Sequence, residues 1–121
     1  PGRLGLYLGL TGTRLRAADM IDLGLATHYV PSESLEALKA ALVSGEAVEA
    51  VLAQFNRDAG ALALRDDRAD IDRLFSADRI EDILTNLATY GGECAPVAAA
   101  TLSKMSPTSL KLTLAQCGPV V

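Results

Sequence analysis

Apolar side chains recur at spacings of three and four along most of the chain, a pattern typical of amphipathic helices. The stripes lie within residues 4–8, 17–24, 35–42, 48–55, 71–75, 80–87 and 98–105. They predict a mainly α structure of seven or eight short helices.

The first helix has apolar positions on two sides. Leu4 and Leu8 lie on one face, and Leu6 and Leu10 add a second. A helix that is apolar on two sides is buried on two sides. Gly5 and Gly9 would let another backbone approach closely, and this packing role is favoured over ligand contact.

Turn and capping residues predict where helices begin and end. Ser106-Pro107 is the strongest start signal, because a hydroxyl cap precedes a proline at the first helical position. Gly24 is predicted to end the second helix in left-handed geometry, and Ser32 to cap the third. Gly60 and the pair Gly91-Gly92 are predicted helix stops, and Asp78 with Glu81 has the form of a capping box.

One extended segment interrupts the helices. Residues 27–30 are rich in types that favour strands, and Pro31 biases Val30 away from helical geometry. The sequence predicts one short strand here.

Composition and charge exclude several functions. The 121 residues carry a formal charge of −4, whereas a nucleic-acid surface needs clustered Lys and Arg. No apolar run approaches the roughly 18 residues of a membrane helix. We expect no nucleic-acid partner and no membrane partner.

The two cysteines, Cys94 and Cys117, show neither metal-ligand spacing nor a disulfide framework. They predict reduced thiols, no metal site and a cytoplasmic protein. With no base beside them in sequence, neither is expected to act as a nucleophile.

Other polar residues are candidate sites. His28 is the only histidine, and no serine or cysteine nucleophile accompanies it. We favour structural or solvent-facing roles for it and for the acidic pairs, the hydroxyls and the lysines, namely Asp66/Asp67, Glu81/Asp82, Ser106, Thr108, Ser109, Lys104 and Lys111. The two lysines could instead meet a coenzyme A phosphate. Gly2, Gly5, Gly9 and Gly12 do not match a phosphate-binding fingerprint. No catalytic residue is assigned, and cofactor-binding residues stay unknown.

Two stretches carry a family resemblance. Ser106-Pro107-Thr108-Ser109-Leu110-Lys111 and Gly24-Leu25-Ala26-Thr27-His28-Tyr29-Val30-Pro31 resemble the C-terminal half of the 3-hydroxyisobutyryl-CoA hydrolases. That group is a branch of the enoyl-CoA hydratase/isomerase (crotonase) superfamily. The opening stretch, residues 1–12, is similar to the wider superfamily.

The resemblance implies the C-terminal helical part of a crotonase-like α/β fold. Residues 1–31 would end the core, residues 32–117 would form a helical region, and residues 1–121 would be one segment of a longer enzyme. That enzyme would hydrolyse 3-hydroxyisobutyryl-CoA in valine breakdown. Its catalytic residues would lie upstream, coenzyme A would enter only as part of the substrate, and this chain alone would be inactive.

Two alternatives stay open at this stage. The parent could be an enoyl-CoA hydratase or isomerase, or the chain could be a helical interaction module without an enzymatic parent. In a segment separated from its core, apolar stripes would be exposed, which predicts self-association or a homo-oligomer.

Overall fold

The computed structural model describes residues 2–64, 66–90 and 92–118. Within these ranges, the regular elements are eight α-helices and one 3-10 turn. The helices are α1 (Leu4–Thr11), α2 (Ala17–Asp22), α3 (Leu35–Val43), α4 (Val48–Phe55), α5 (Arg68–Leu74), α6 (Ile80–Thr89), α7 (Cys94–Leu102) and α8 (Pro107–Cys117), and the 3-10 turn is Ser32–Ser34. The predicted mainly α class is confirmed.

The chain divides into two units, and neither follows the predicted division at residue 31. The first unit joins Pro1–Arg14 to Asp66–Val121, and the second is Leu15–Arg65. The predicted boundary concerns the larger fold and stays a prediction.

Helix α1 lies at the centre of the first unit. It contacts α5, α7 and α8, and Leu4, Leu6 and Leu10 are all buried. The two-sided burial predicted from the sequence is therefore confirmed. Gly12 ends the helix in left-handed geometry, with φ of 65°.

The remaining helices of this unit supply the other core side chains. Phe75, at the end of α5, is 1% exposed, and its ring meets that of Tyr7 edge-on at 5.3 Å between centroids. The other buried apolar side chains of this unit come from α5 to α8, namely Ile71, Leu74, Ile80, Ile83, Leu87, Ala95, Ala98, Leu102, Leu110 and Leu114. These residues include members of three predicted stripes, those within residues 71–75, 80–87 and 98–105.

The second unit buries far less apolar surface. Helices α3 and α4 pack together, yet Val51 is their only buried side chain. Ala18 and Asp19, on α2, are the other buried residues described in this unit. Since few apolar groups leave water here, polar contacts carry a larger share of the local structure.

Residues 27–30 are not a strand, and this prediction was wrong. The N–H of Tyr29 donates to Oδ1 of Asn56 at 2.9 Å, and its carbonyl accepts the N–H of Arg57 at 2.9 Å. These bonds satisfy the backbone of Tyr29 locally, without a paired ladder. The same contacts explain why α4 ends at Phe55 rather than near Gly60, because Asn56 and Arg57 are drawn into the pairing.

Several predicted caps also differ. Helix α6 begins after Arg79 with no side-chain cap, so Asp78 and Glu81 do not form a capping box. Ser32 begins the 3-10 turn without capping a helix through its side chain. Gly24 does adopt left-handed geometry after α2, with φ of 71°. Gly91, part of the predicted stop for α6, lies outside the described residues.

Candidate functional site

The start of α8 is organised as its sequence predicts. Pro107 opens the helix, and Oγ of Ser106 accepts the N–H of Ser109 over a long 3.5 Å. Thr108 and Ser109 lie in the exposed first turn. These hydroxyls act as a cap and as helix-surface groups, as expected.

Lys111, one turn further along α8, is tied to α6 by an ion pair. Its Nζ lies 2.8 Å from Oε1 of Glu81. The second carboxylate oxygen of Glu81, Oε2, lies 3.8 Å from Nε of Arg79. The hydrogen bond from Lys111 holds the pKa of Glu81 below its usual value. Glu81 thus has a pairing role, which was not predicted.

A cavity of about 270 Å³ adjoins this ion pair. It is lined by Asp78, Arg79, Ile80, Glu81, Lys111, Leu114 and Ala115. Its cations already face carboxylates, so it is not a dedicated anion site. Lys104 is exposed, and its ammonium group makes no hydrogen bond or ion pair with the described residues.

A second polar cluster lies around Tyr90. The Tyr90 hydroxyl donates to Oδ1 of Asp70 at 2.6 Å, and the guanidinium carbon of Arg73 is 4.3 Å from the ring centroid. The hydrogen bond to Asp70, with burial as a smaller cause, raises the pKa of Tyr90. Asp70 and Arg73 are three residues apart on α5, so helix periodicity places them on one face. The periodicity does not link either residue to Tyr90, which follows α6.

The thiol of Cys94 interacts electrostatically with this cluster. Burial raises the pKa of the Cys94 thiol, and the negative charges of Asp67 and Asp70 raise it further. The thiol is therefore protonated near neutral pH and is a poor nucleophile. Cys117 is exposed at the end of α8.

Asp19 is the most deeply buried charged side chain described, at 3% exposure. Its Oδ1 accepts the N–H groups of Ala63 and Leu64, at 2.9 and 3.1 Å. These bonds, with that to Leu64 the largest cause, lower the pKa of Asp19. Sequence reasoning missed this residue, although an acid beside the apolar stripe of a short helix is a signal worth testing.

The remaining candidates form no reactive group. The ring of His28 is exposed, and its Nδ1 lies 2.9 Å from the hydroxyl of Thr27. Asp66 and Asp82 are exposed. The described residues contain no cluster of three or more potential metal ligands, and no described helix is long and apolar enough to span a bilayer.

Comparison with known proteins identifies the family. The family model for enoyl-CoA hydratase/isomerase matches residues 1–119. The chain belongs to the enoyl-CoA hydratase/isomerase family. Its predicted resemblance is thereby confirmed.

Curated relatives carry the name of one branch of this family. The mitochondrial 3-hydroxyisobutyryl-CoA hydrolase of Danio rerio is 42% identical over 125 residues, covering 95% of this chain and 33% of that protein. The Homo sapiens protein of the same name is 37% identical, covering 95% of this chain and 32% of its own length. The chain thus spans about a third of these relatives and matches their C-terminal portion.

A solved structure supports the same fold. The carnitinyl-CoA dehydratase from Mycobacterium thermoresistibile matches with a TM-score of 0.88 and 33% identity. The match covers 97% of this chain and 34% of that one. The helical part of a crotonase-like fold, predicted from the sequence, is confirmed.

The expected cytoplasmic location is contradicted, because these hydrolases are named as mitochondrial. Two cysteines without a disulfide do not identify a compartment. Thiol chemistry therefore does not support the cytoplasmic prediction, which was wrong.

Proposed function

We propose that this chain is the helical C-terminal part of an acyl-CoA thioester hydrolase that acts on 3-hydroxyisobutyryl-CoA in valine catabolism. The observation that supports it is 42% identity to a hydrolase of that name across 95% of the chain. The local geometry is in keeping, since His28 is exposed and its Nδ1 meets the hydroxyl of the adjacent Thr27 rather than a buried nucleophile.

In this proposal the reactive groups belong to the parent protein, ahead of residue 1. Thioester hydrolysis requires donors that stabilise negative charge on the thioester oxygen, together with acids and bases that handle the attacking water. The helices described here would support the acyl-CoA pocket. Coenzyme A would enter as part of the substrate, and no separate cofactor is proposed.

Hydration or isomerisation of an enoyl-CoA is the second candidate. It is favoured by the structural likeness to a carnitinyl-CoA dehydratase. Membership of an enzyme family argues against the third candidate, an interaction module without an enzymatic parent.

One pair of assays on the complete natural polypeptide separates the first two candidates. With 3-hydroxyisobutyryl-CoA, the proposal expects release of free coenzyme A thiol. With an enoyl-CoA, it expects little loss of the conjugated double bond. Hydration without thiol release would favour the second candidate and overturn the first.

The 121-residue chain, assayed alone under the same conditions, is the matched control. The proposal expects no thiol release from it, since it places the reactive groups outside this chain. Turnover by the isolated chain would overturn the placement of the reactive groups outside it.

A further inference from the structure

The connection after α4 has no regular secondary structure, yet it is fastened at both ends. We call residues 58–64 the strap. Just before it, the N–H of Arg57 donates to the carbonyl of Tyr29 at 2.9 Å. At its far end, Ala63 and Leu64 donate their N–H groups to Oδ1 of Asp19 on α2.

The Asp19 bonds dominate the attachment of the strap to α2. No strap residue is buried, and Leu62 and Leu64 are only partly covered. Among the described residues, the only other hydrogen bond made by a strap N–H or side chain is the internal one from Gly60 to Asp58 at 2.9 Å. With so little apolar contact, two bonds to one carboxylate oxygen decide whether the strap stays closed.

The closed strap forms one wall of a cavity. The space is about 320 Å³ and lies between the strap and α2. Its lining includes Ala59, Gly60 and Leu62 from the strap and Ala18 and Ile21 from α2. The space is an open cleft, and if the far end of the strap were released, the cleft would lose this wall.

We propose that Asp19 is a latch, and that releasing it opens the strap as a local unit and removes one wall of the cleft. A buried carboxylate must be compensated by hydrogen bonds, and the strap supplies two of them. When the strap leaves, the carboxylate and both N–H groups regain water together. No charge is stranded in an apolar interior, so opening does not require the rest of the unit to unfold.

Amide hydrogen exchange of the 121-residue chain, followed residue by residue by NMR, tests the latch. In Asp19→Ala we expect the Ala63 and Leu64 amides to exchange about tenfold faster or more, because both lose their acceptor. Asp19→Asn keeps an oxygen but loses the charge, so it should give a smaller increase. Glu46→Gln removes an exposed charge from the same unit and should leave both rates unchanged.

Val51 serves as the internal reference. Its N–H donates to the carbonyl of Ala47, the residue before α4, at 3.1 Å, and its side chain is fully buried. Its exchange rate should not change in Asp19→Ala. The latch is rejected if Ala63 and Leu64 exchange equally in Asp19→Ala and Glu46→Gln, or if Val51 accelerates by the same factor as the strap.

Exchange in the unaltered protein keeps the proposal testable should Asp19→Ala fail to fold. At low urea, Ala63 and Leu64 should share one opening free energy that barely depends on denaturant, as a small local opening requires. Val51 should show the steep dependence of a larger unfolding. Identical urea dependence for all three amides would overturn the proposal.

Discussion

Tyr90 and Asp70 are joined by a 2.6 Å hydrogen bond between the phenol and the carboxylate, which links the residue after α6 to α5. Arg73 lies over the face of the same ring at 4.3 Å. The carboxylate favours the neutral phenol, because ionised Tyr90 would place two negative charges side by side. The contact therefore has a predictable dependence on pH.

The Tyr90 pKa is raised from 10.0 in the folded state. The stabilisation from this group is fully present below pH 10 and is lost as the pH rises through the folded value. In alkaline unfolding experiments, the unaltered protein should therefore lose more stability than Tyr90→Phe. Among the three tyrosines, Tyr90 should account for a tyrosinate absorbance component above pH 10 that disappears in this variant and persists in Tyr29→Phe.

The two cysteines should differ in reactivity. Burial and the nearby Asp67 and Asp70 raise the pKa of Cys94, whereas Cys117 is exposed. Because the thiolate is the reacting form, we expect an alkylating reagent at neutral pH to modify Cys117 first. Peptide mass spectrometry over time measures both rates. If Cys94 and Cys117 are modified at equal rates in the folded protein at neutral pH, the environment described for Cys94 is contradicted.

Lys111 and Lys104 form a matched pair for testing the ion pair on α8. Lys111→Met should raise the pKa of Glu81 toward the ordinary value of 4.5, since it removes the first cause of its depression. Lys104→Met should leave that pKa unchanged. NMR titration of the Glu81 side chain measures the difference.

The pair also predicts an acid dependence. A depressed carboxyl pKa adds stability that is present above pH 4.5 and is lost as the pH falls through the folded value. The unaltered protein should thus lose slightly more stability on acidification than Lys111→Met. The effect should be small because both partners are exposed. An equal acid dependence in both proteins would show that the pair contributes nothing.

Helix periodicity recovered most of this fold because local spacing encodes burial in amphipathic helices. Leu4, Leu6 and Leu10 show this clearly. The contacts it missed join distant residues, as Asp19 joins Ala63 and Tyr90 joins Asp70. A carboxylate on a helix stripe carries no sequence signal for which backbone N–H it will accept. The predicted strand failed for a related reason, since the side chain of Asn56 satisfied Tyr29 from 27 residues away.

Two glycines on α1 provide a test of close helix packing. An added Cβ at Gly9 would lie 3.2 Å from Cγ2 of Thr113 on α8, while one at Gly5 would meet nothing within 4 Å. Gly5→Ala should therefore stabilise the chain by about 0.5 kcal/mol through reduced backbone entropy in the unfolded state. Gly9→Ala should gain less or destabilise, because Thr113 must shift.

The free energy of unfolding from urea titration measures both glycine variants. Combining Gly9→Ala with Thr113→Ser, which removes the opposing methyl group, should recover part of the lost stability. An equal gain in Gly5→Ala and Gly9→Ala would mean that α1 and α8 do not approach as closely as the structure describes.

Exposed apolar side chains in the second unit predict self-association of the isolated chain. Val43, the last residue of α3, is 87% exposed, and Val48, the first residue of α4, is 53% exposed. Leu35 and Leu42 are also open to solvent. Exposed apolar surface of this kind favours association. Sedimentation velocity across a concentration series should show a rising average mass for the unaltered chain. Val43→Lys should reduce this rise in mass, because a charge there would have to be desolvated in the contact. Ala115→Lys, on the exposed surface of α8, is the control and should leave the rise unchanged. A single monomeric species at high concentration in all three proteins would contradict the prediction and would mean that these side chains tolerate water without a partner.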